Sequence, residues 1–193
     1  MKNKFKKLLA LLLIVFGSYS FTTVLNEKID INVDKSNLHW KGFKVTGSHE
    51  GNLRFESGTL TFTENGKLVD GTFLIDMKSM ECTDLEGEYK EKLDRHLKSK
   101  DFFGTNEHPS ATLQFKEIIV SGKNSYRIKG DLTIKGITNS IEFDFSIYGK
   151  KATATLKIDR TKYDIKYGSS SFFDGLKDKA IYDDFDIKVD LEF

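Results

Sequence analysis

Cysteine and proline are almost missing from this chain, with one of each in 193 residues. A lone Cys82 cannot close an internal disulfide, so no covalent staple is available to the fold. One thiol cannot supply a thiolate metal set, and a catalytic thiol needs a histidine partner that the sequence does not place beside it. Cys82 therefore reads as a buried bystander. The scarcity of proline suits long strands rather than a loop-rich scaffold. The four histidines, His39, His49, His96 and His108, lie too far apart for the short spacing of a zinc pair. Phosphate-loop, dinucleotide and metalloprotease signatures are all missing. The sequence thus nominates no catalytic residue, no metal ligand and no cofactor-binding motif.

Long apolar runs are missing too. The longest, Leu8 to Phe16, is about nine residues, too short to span a bilayer. It follows Lys2, Lys4, Lys6 and Lys7 and precedes the small residues Ser18 and Ser20. A basic region, a short apolar core and a small-residue site together predict a signal peptide over residues 1–20, cleaved near Ser20–Phe21. An uncleaved anchor is the alternative, and the absence of Cys at this boundary argues against a lipoprotein. The expected location is periplasmic or secreted. Without residues 1–20, 26 basic side chains face 29 acidic ones, a net charge of −3. The signs are interspersed and no basic block stands out, which excludes nucleic acid as the expected partner.

What is abundant is phenylalanine, with 16 copies, and strict alternation of apolar with polar residues. Ile141, Phe143, Phe145 and Ile147 alternate with Glu142, Asp144, Ser146 and Tyr148. Ala152, Ala154, Leu156 and Ile158 follow the Gly149–Lys150 turn. Phe185, Ile187, Val189, Leu191 and Phe193 alternate with Asp186, Lys188, Asp190 and Glu192. Period-two patterning of this kind gives strands with one buried and one wet face. In the first half, Leu38 and Trp40, then Leu53 and Phe55, show the same pattern. The apolar phase slips across Ser57–Gly58 to Leu60 and Phe62, as at a bulge. Asn65–Gly66 predicts a two-residue hairpin turn. The return strand is expected to carry Val69, Phe73, Ile75 and Met77 on one face.

One helix interrupts the strands. Thr83 and Glu86 have the spacing of a capping box, and Leu85, Tyr89, Leu93 and Leu97 recur at helical spacing. The expectation is a helix over residues 85–98, with those four as its buried stripe and His96 near its end. The chain contains no repeat and no linker. It reads as one all-β domain: an antiparallel barrel of about eight strands with one inserted α-helix. Closure removes the edge strands that would otherwise aggregate. A barrel of this size holds either packed side chains or one small ligand. The expected inward residues are Trp40, Phe55, Phe73, Ile75, Phe115, Leu132, Phe143, Phe145, Leu156 and Ile187, and these are the lipid-binding candidates. His49, in the 47–51 segment between two strands, and Arg160, after a strand end, are candidates for a head group. Each has a plainer reading, His49 as a hydrogen-bonding turn residue and Arg160 as a partner of adjacent acids.

Several segments together resemble a known family. Residues 93–103 (Leu-Asp-Arg-His-Leu-Lys-Ser-Lys-Asp-Phe-Phe) and 109–112 (Pro-Ser-Ala-Thr) look like one hallmark of YceI-like proteins. Residues 130–138 and 158–163 look like two more. The start at Leu38-His39-Trp40, the 47–51 segment and the closing strand are similar too, so the resemblance covers nearly all of residues 29–193. It implies a lipocalin-like barrel, usually exported to the periplasm, whose lumen binds a polyisoprenoid such as a prenyl quinone or prenyl pyrophosphate. Lys135, His108 and Asp164 depart from the family pattern and bear on the head group. The expected partner is therefore an apolar lipid, held by a carrier or store without stable membrane insertion. An enzyme acting on a prenyl lipid is one alternative. A small outer-membrane barrel is another, although the strands look short for a tilted crossing of about 9–11 residues.

Overall fold

The computed structural model describes residues 26–193; the leader and its cleavage point lie outside them. Nine antiparallel strands form one sheet: β1 (Asn26–Asp30), β2 (Asn37–Lys44), β3 (Gly47–Thr63), β4 (Leu68–Cys82), β5 (Ser110–Val120), β6 (Ser125–Ile134), β7 (Ile137–Tyr148), β8 (Lys151–Asp159) and β9 (Ile181–Glu192). Eight of them, β2 to β9, close into a barrel in the order β3-β2-β9-β8-β7-β6-β5-β4, with β4 returning to β3. The ninth, β1, shares one edge of β3 with β2. It pairs with the far half, Asn26 opposite Thr63, while β2 pairs with the near half, Leu38 opposite Leu53. The antiparallel barrel with one helix is thus the architecture the alternation predicts.

Alternation builds the wall. On β8, Ala152, Ala154, Leu156 and Ile158 are buried, while Lys151, Thr153, Thr155 and Lys157 are exposed. The strands are longer than the sequence suggested, with β3 at 17 residues and β4 at 15. Length therefore does not separate this barrel from a membrane-spanning one. The direction of the side chains does. Charged Glu142, Asp144, Lys157, Lys188 and Asp190 face outward and the apolar residues inward, the inverse of an outer-membrane barrel with its apolar belt. Among the described residues no helix is long and apolar enough to cross a membrane.

The irregular points differ from expectation in instructive ways. The slip near Gly58 occurs slightly earlier, between Phe55 and Ser57, where Glu56 is the extra residue. The hairpin after β3 has a three-residue loop, not two. Gly66 N–H donates to Thr63 O at 2.8 Å and Thr63 N–H to Lys67 O at 2.9 Å. Only Gly66 has positive φ, +72°, whereas a two-residue type I′ turn would need it at Asn65 as well. Val69 is exposed, because Phe62 pairs with Leu68 and Thr61 with Asp70, which leaves Val69 as a bulge residue. Leu68 takes its place inside.

The helix α1 (Gly87–Lys98) is inserted between β4 and β5 and begins later than expected. Gly87 has φ of +56°, which is not helical, so no regular turn runs through it from Leu85 and the regular turns follow it. The capping box does not form. Glu86 at the cap makes no side-chain cap bond, and the Thr83 hydroxyl donates to Glu50 O instead. Polar contacts dock the helix: Lys90 Nζ donates to Cys82 O at 2.6 Å, and Cys82 N–H donates to Asp94 Oδ1 at 2.7 Å. Rotating Lys90 and Asp94 toward β4 carries Tyr89 outward, where it is 77% exposed. Of the expected stripe, Leu97 is buried, Leu93 and Leu85 are half-buried, and Tyr89 does not belong to it.

A candidate lipid-binding cavity

Inside the barrel lies one large cavity of about 660 Å³, within the range of small-molecule sites, about 300–1,000 Å³. The ten residues expected to face inward, from Trp40 on β2 to Ile187 on β9, all line it. Their strands place them there by phase alone. Phe115 on β5 is the hub of an aromatic cluster, with ring centroids 5.6 Å from Phe73, 5.9 Å from Phe143 and 5.6 Å from Phe145. Gly71 makes room for it, since a Cβ there would stand 2.6 Å from the Phe115 ring. The Trp40 indole N–H donates to Glu81 O at 3.2 Å, so the ring offers the cavity carbon without an unpaired donor. Leu60, Leu68 and Ile128 are fully buried without lining the cavity, and Phe62 stacks with Phe193 at 5.8 Å. The end of the barrel near these residues is packed solid.

The other end carries the polar groups. It is framed by the β2–β3 hairpin, by α1 and by the crossover of residues 160–180 between β8 and β9. Lys44, Thr46, His49, His96, Lys179 and Asp184 are among the cavity-lining residues there. No periodicity along the chain marks several neighbours: Phe102 and Phe103 sit in the loop after α1, and Tyr167 in the crossover. The loop and the crossover meet α1 at His96, whose ring stands edge-on to Tyr167 at 4.5 Å and to Phe102 at 5.5 Å. His96 is thus a wall residue of the cavity. Met77 and Phe185 also line it, and both carry the alternation signal of their strands.

The two head-group candidates both line the cavity, in different circumstances. His49 lies within β3, not in a turn, because the hairpin turns earlier, at Val45–Thr46. Its Nδ1 is 3.0 Å from Asp84 Oδ2. Arg160 is 2% exposed, and three of its donors are engaged by backbone carbonyls: Ile165 O at 2.7 Å, and Tyr182 O and Ile181 O each at 3.0 Å. Asp183 lies 3.6 Å from the same guanidinium. Arg160 therefore fastens both ends of the crossover to the barrel. Lys135 and Asp164 occupy left-handed positions, φ +52° and +57°, which glycine would adopt without strain.

Cys82 has a histidine close in space after all, but with a carboxylate between them. The thiol donates to Asp84 Oδ1 at 2.9 Å while His49 holds Oδ2. Burial is the main cause that raises the thiol pKa, with the Asp84 hydrogen bond adding to it. This arrangement keeps the proton on sulfur, the opposite of an activated nucleophile. Among the described residues no group of three or more His, Cys, Asp and Glu side chains is placed to hold a metal ion.

A family model described as the YceI-like domain matches residues 29–193. One curated relative, a UPF0312 protein of Staphylococcus aureus, is 36% identical over 88 residues, covering 40% of this chain and 48% of the relative. The chain spans about half the length of the first such relatives it matches. Among solved structures, BcnA of Burkholderia cenocepacia superposes with a TM-score of 0.67 at 22% identity, over 83% of this chain and 98% of BcnA. A polyisoprenoid binding domain from Saccharophagus degradans, implicated in plant cell wall breakdown, superposes at 0.57 and 14% identity, over 88% of this chain and 97% of that domain. At these identities the structural likeness speaks to the fold. The barrel, its inserted helix and the family match over residues 29–193 lead to one assignment: the chain belongs to the YceI-like family.

Proposed function

We propose that this protein is an exported carrier or store for a polyisoprenoid or similar apolar chain, such as a prenyl quinone or prenyl pyrophosphate, held in the barrel with its polar end at the mouth. The observation that carries this reading is the cavity itself, apolar and aromatic in depth and polar at one end. The Saccharophagus degradans domain of the same fold, which is described as polyisoprenoid binding, supports it. The leader predicted over residues 1–20 supports a periplasmic or secreted location.

The energetics are adequate without any catalytic group. Each buried methylene contributes about 0.8 kcal/mol, so about ten buried carbons offset much of an association cost on the order of 4–15 kcal/mol. Mass spectrometry of an organic extract of the protein, purified from its own organism, tests the reading. A single prenyl lipid in near-stoichiometric amount is expected. An extract with no lipid above that of an unrelated exported protein would overturn it.

A further inference from the structure

We propose that the rim of the cavity mouth docks on the surface of an anionic bilayer, with Phe172 and Phe173 entering the boundary between headgroups and acyl chains. The inference rests on the lipid-binding reading of the cavity and adds where the lipid is exchanged. After β8 the chain does not turn directly into β9. It makes the crossover of residues 160–180, and within it a tight turn in which the N–H groups of Phe172 and Phe173 both donate to Ser169 O. Ser169 is fully buried, and the Ser171 hydroxyl donates to Asp183 at the start of β9. The base of the turn is therefore fixed, while its two adjacent phenylalanines are 50% and 51% exposed. A rigid base that holds two neighbouring large apolar side chains in water marks an interaction surface rather than a packing accident.

The surroundings specify the partner. Tyr167 and Tyr182 are exposed beside the turn and also line the cavity, so the apolar rim is continuous with the lumen. Exposed Val45 stands at the tip of the β2–β3 hairpin, on the same end, where Lys44 pairs with Ile181. The crossover presents four cations at its surface, Lys162, Lys166, Lys177 and Lys179, against three acids, Asp164, Asp174 and Asp178, while Arg160 is buried beside Asp183. Lys166 neutralises Asp164 at 2.8 Å and lies over the Phe172 ring at 5.1 Å. The surface of the crossover itself thus carries a net charge of +1, on a chain whose net charge without residues 1–20 is −3. Aromatic rings flanked by lysines suit a membrane interface, where rings sit at headgroup level and ammonium groups meet anionic lipid. Docked there, the mouth receives an apolar chain directly from the bilayer, and the chain does not cross bulk water.

Co-flotation of the exported protein with vesicles of mixed phosphatidylcholine and phosphatidylglycerol tests this. The parent is expected to float, and added salt to weaken the association. The double variant Phe172→Ser/Phe173→Ser is expected to lose roughly tenfold or more of its vesicle binding. A control, Ile119→Ser/Val120→Ser, alters exposed apolar residues at the end of β5 and is expected to float like the parent. Binding of the apolar dye N-phenylnaphthylamine without vesicles reports the cavity separately, and the Phe172/Phe173 variant is expected to retain it. A parent that does not float, equal flotation of parent and Phe172/Phe173 variant, or flotation only when a second protein is present overturns the docking. A parent that floats but takes up no dye overturns the cavity reading, and with it the proposed exchange.

Discussion

Arg160 is a buried cation that spends its hydrogen bonds on backbone. Its planar fork reaches carbonyls from both ends of the crossover at once, which the compact ammonium of lysine cannot do. Arg160→Met leaves those carbonyls and Asp183 without their partner and is expected to cost about 3–5 kcal/mol in urea unfolding. Arg160→Lys is expected to recover only part of that loss. Asp84 shows the opposite electrostatic situation. Burial pushes its carboxyl upward, but hydrogen bonds from the Cys82 thiol, the Glu50 amide and His49 outweigh burial and hold its pKa below the usual range. A folded pKa below the unfolded one contributes stability that is present in full above about pH 4 and is lost as pH falls through the folded value. Asp84→Asn should therefore destabilise near neutral pH, and its deficit should shrink below about pH 4. A deficit in melting temperature that stayed constant into acid would show that the carboxylate charge is not what matters.

At the scale of elements, α1 is where local pattern and tertiary docking compete. Its spacing places Tyr89, Leu93 and Leu97 on one stripe, but the polar bonds of Lys90 and Asp94 to the end of β4 set its rotation. Leu97 is consequently the buried residue of the helix. Leu97→Asp places an unpaired charge against the core and is expected to cost more than about 3 kcal/mol, whereas Tyr89→Asp should stay within about 0.5 kcal/mol of the parent. Equal losses of thermal stability in the two variants would show that the rotation is wrong. Strand existence was legible for β7, β8 and β9, since each alternates over its whole length. The bulges at Glu56 and Val69 were less so, because one extra residue depends on which partner residues it must match across the ladder.

At the scale of the molecule, the eight-stranded closure turns a set of inward phases into a volume. Under the proposed function the cavity-lining rings make capture depend on shape, so filling the space should act differently from changing the outer wall. Phe145→Trp is expected to reduce the amount of co-purified lipid while the fold survives at a cost of about 1–3 kcal/mol. Lys188→Gln, on the exposed face of β9, should change neither lipid content nor stability. Retention of the same lipid in the same amount by both variants would move the site out of the lumen. The charged outer wall and apolar interior also set the overall solvation: the barrel meets water on its outside and carbon on its inside.

Alternation along the chain already assigns the inward residues of most strands, Trp40, Phe115 and Phe143 among them, and hence the antiparallel barrel. Side-chain direction on a strand has a period of two and needs only local order to be read. That Leu60 and Ile128 are fully buried while Phe115 and Phe143 border open space follows from the closure of the barrel. Tertiary structure alone joined His96, Phe102 and Tyr167 into one wall, and committed Arg160 to backbone carbonyls. A void is the remainder after eight strands of fixed tilt and stagger have been filled. A contact between loops far apart in sequence leaves no periodicity along the chain. Neither quantity exists until the barrel has closed.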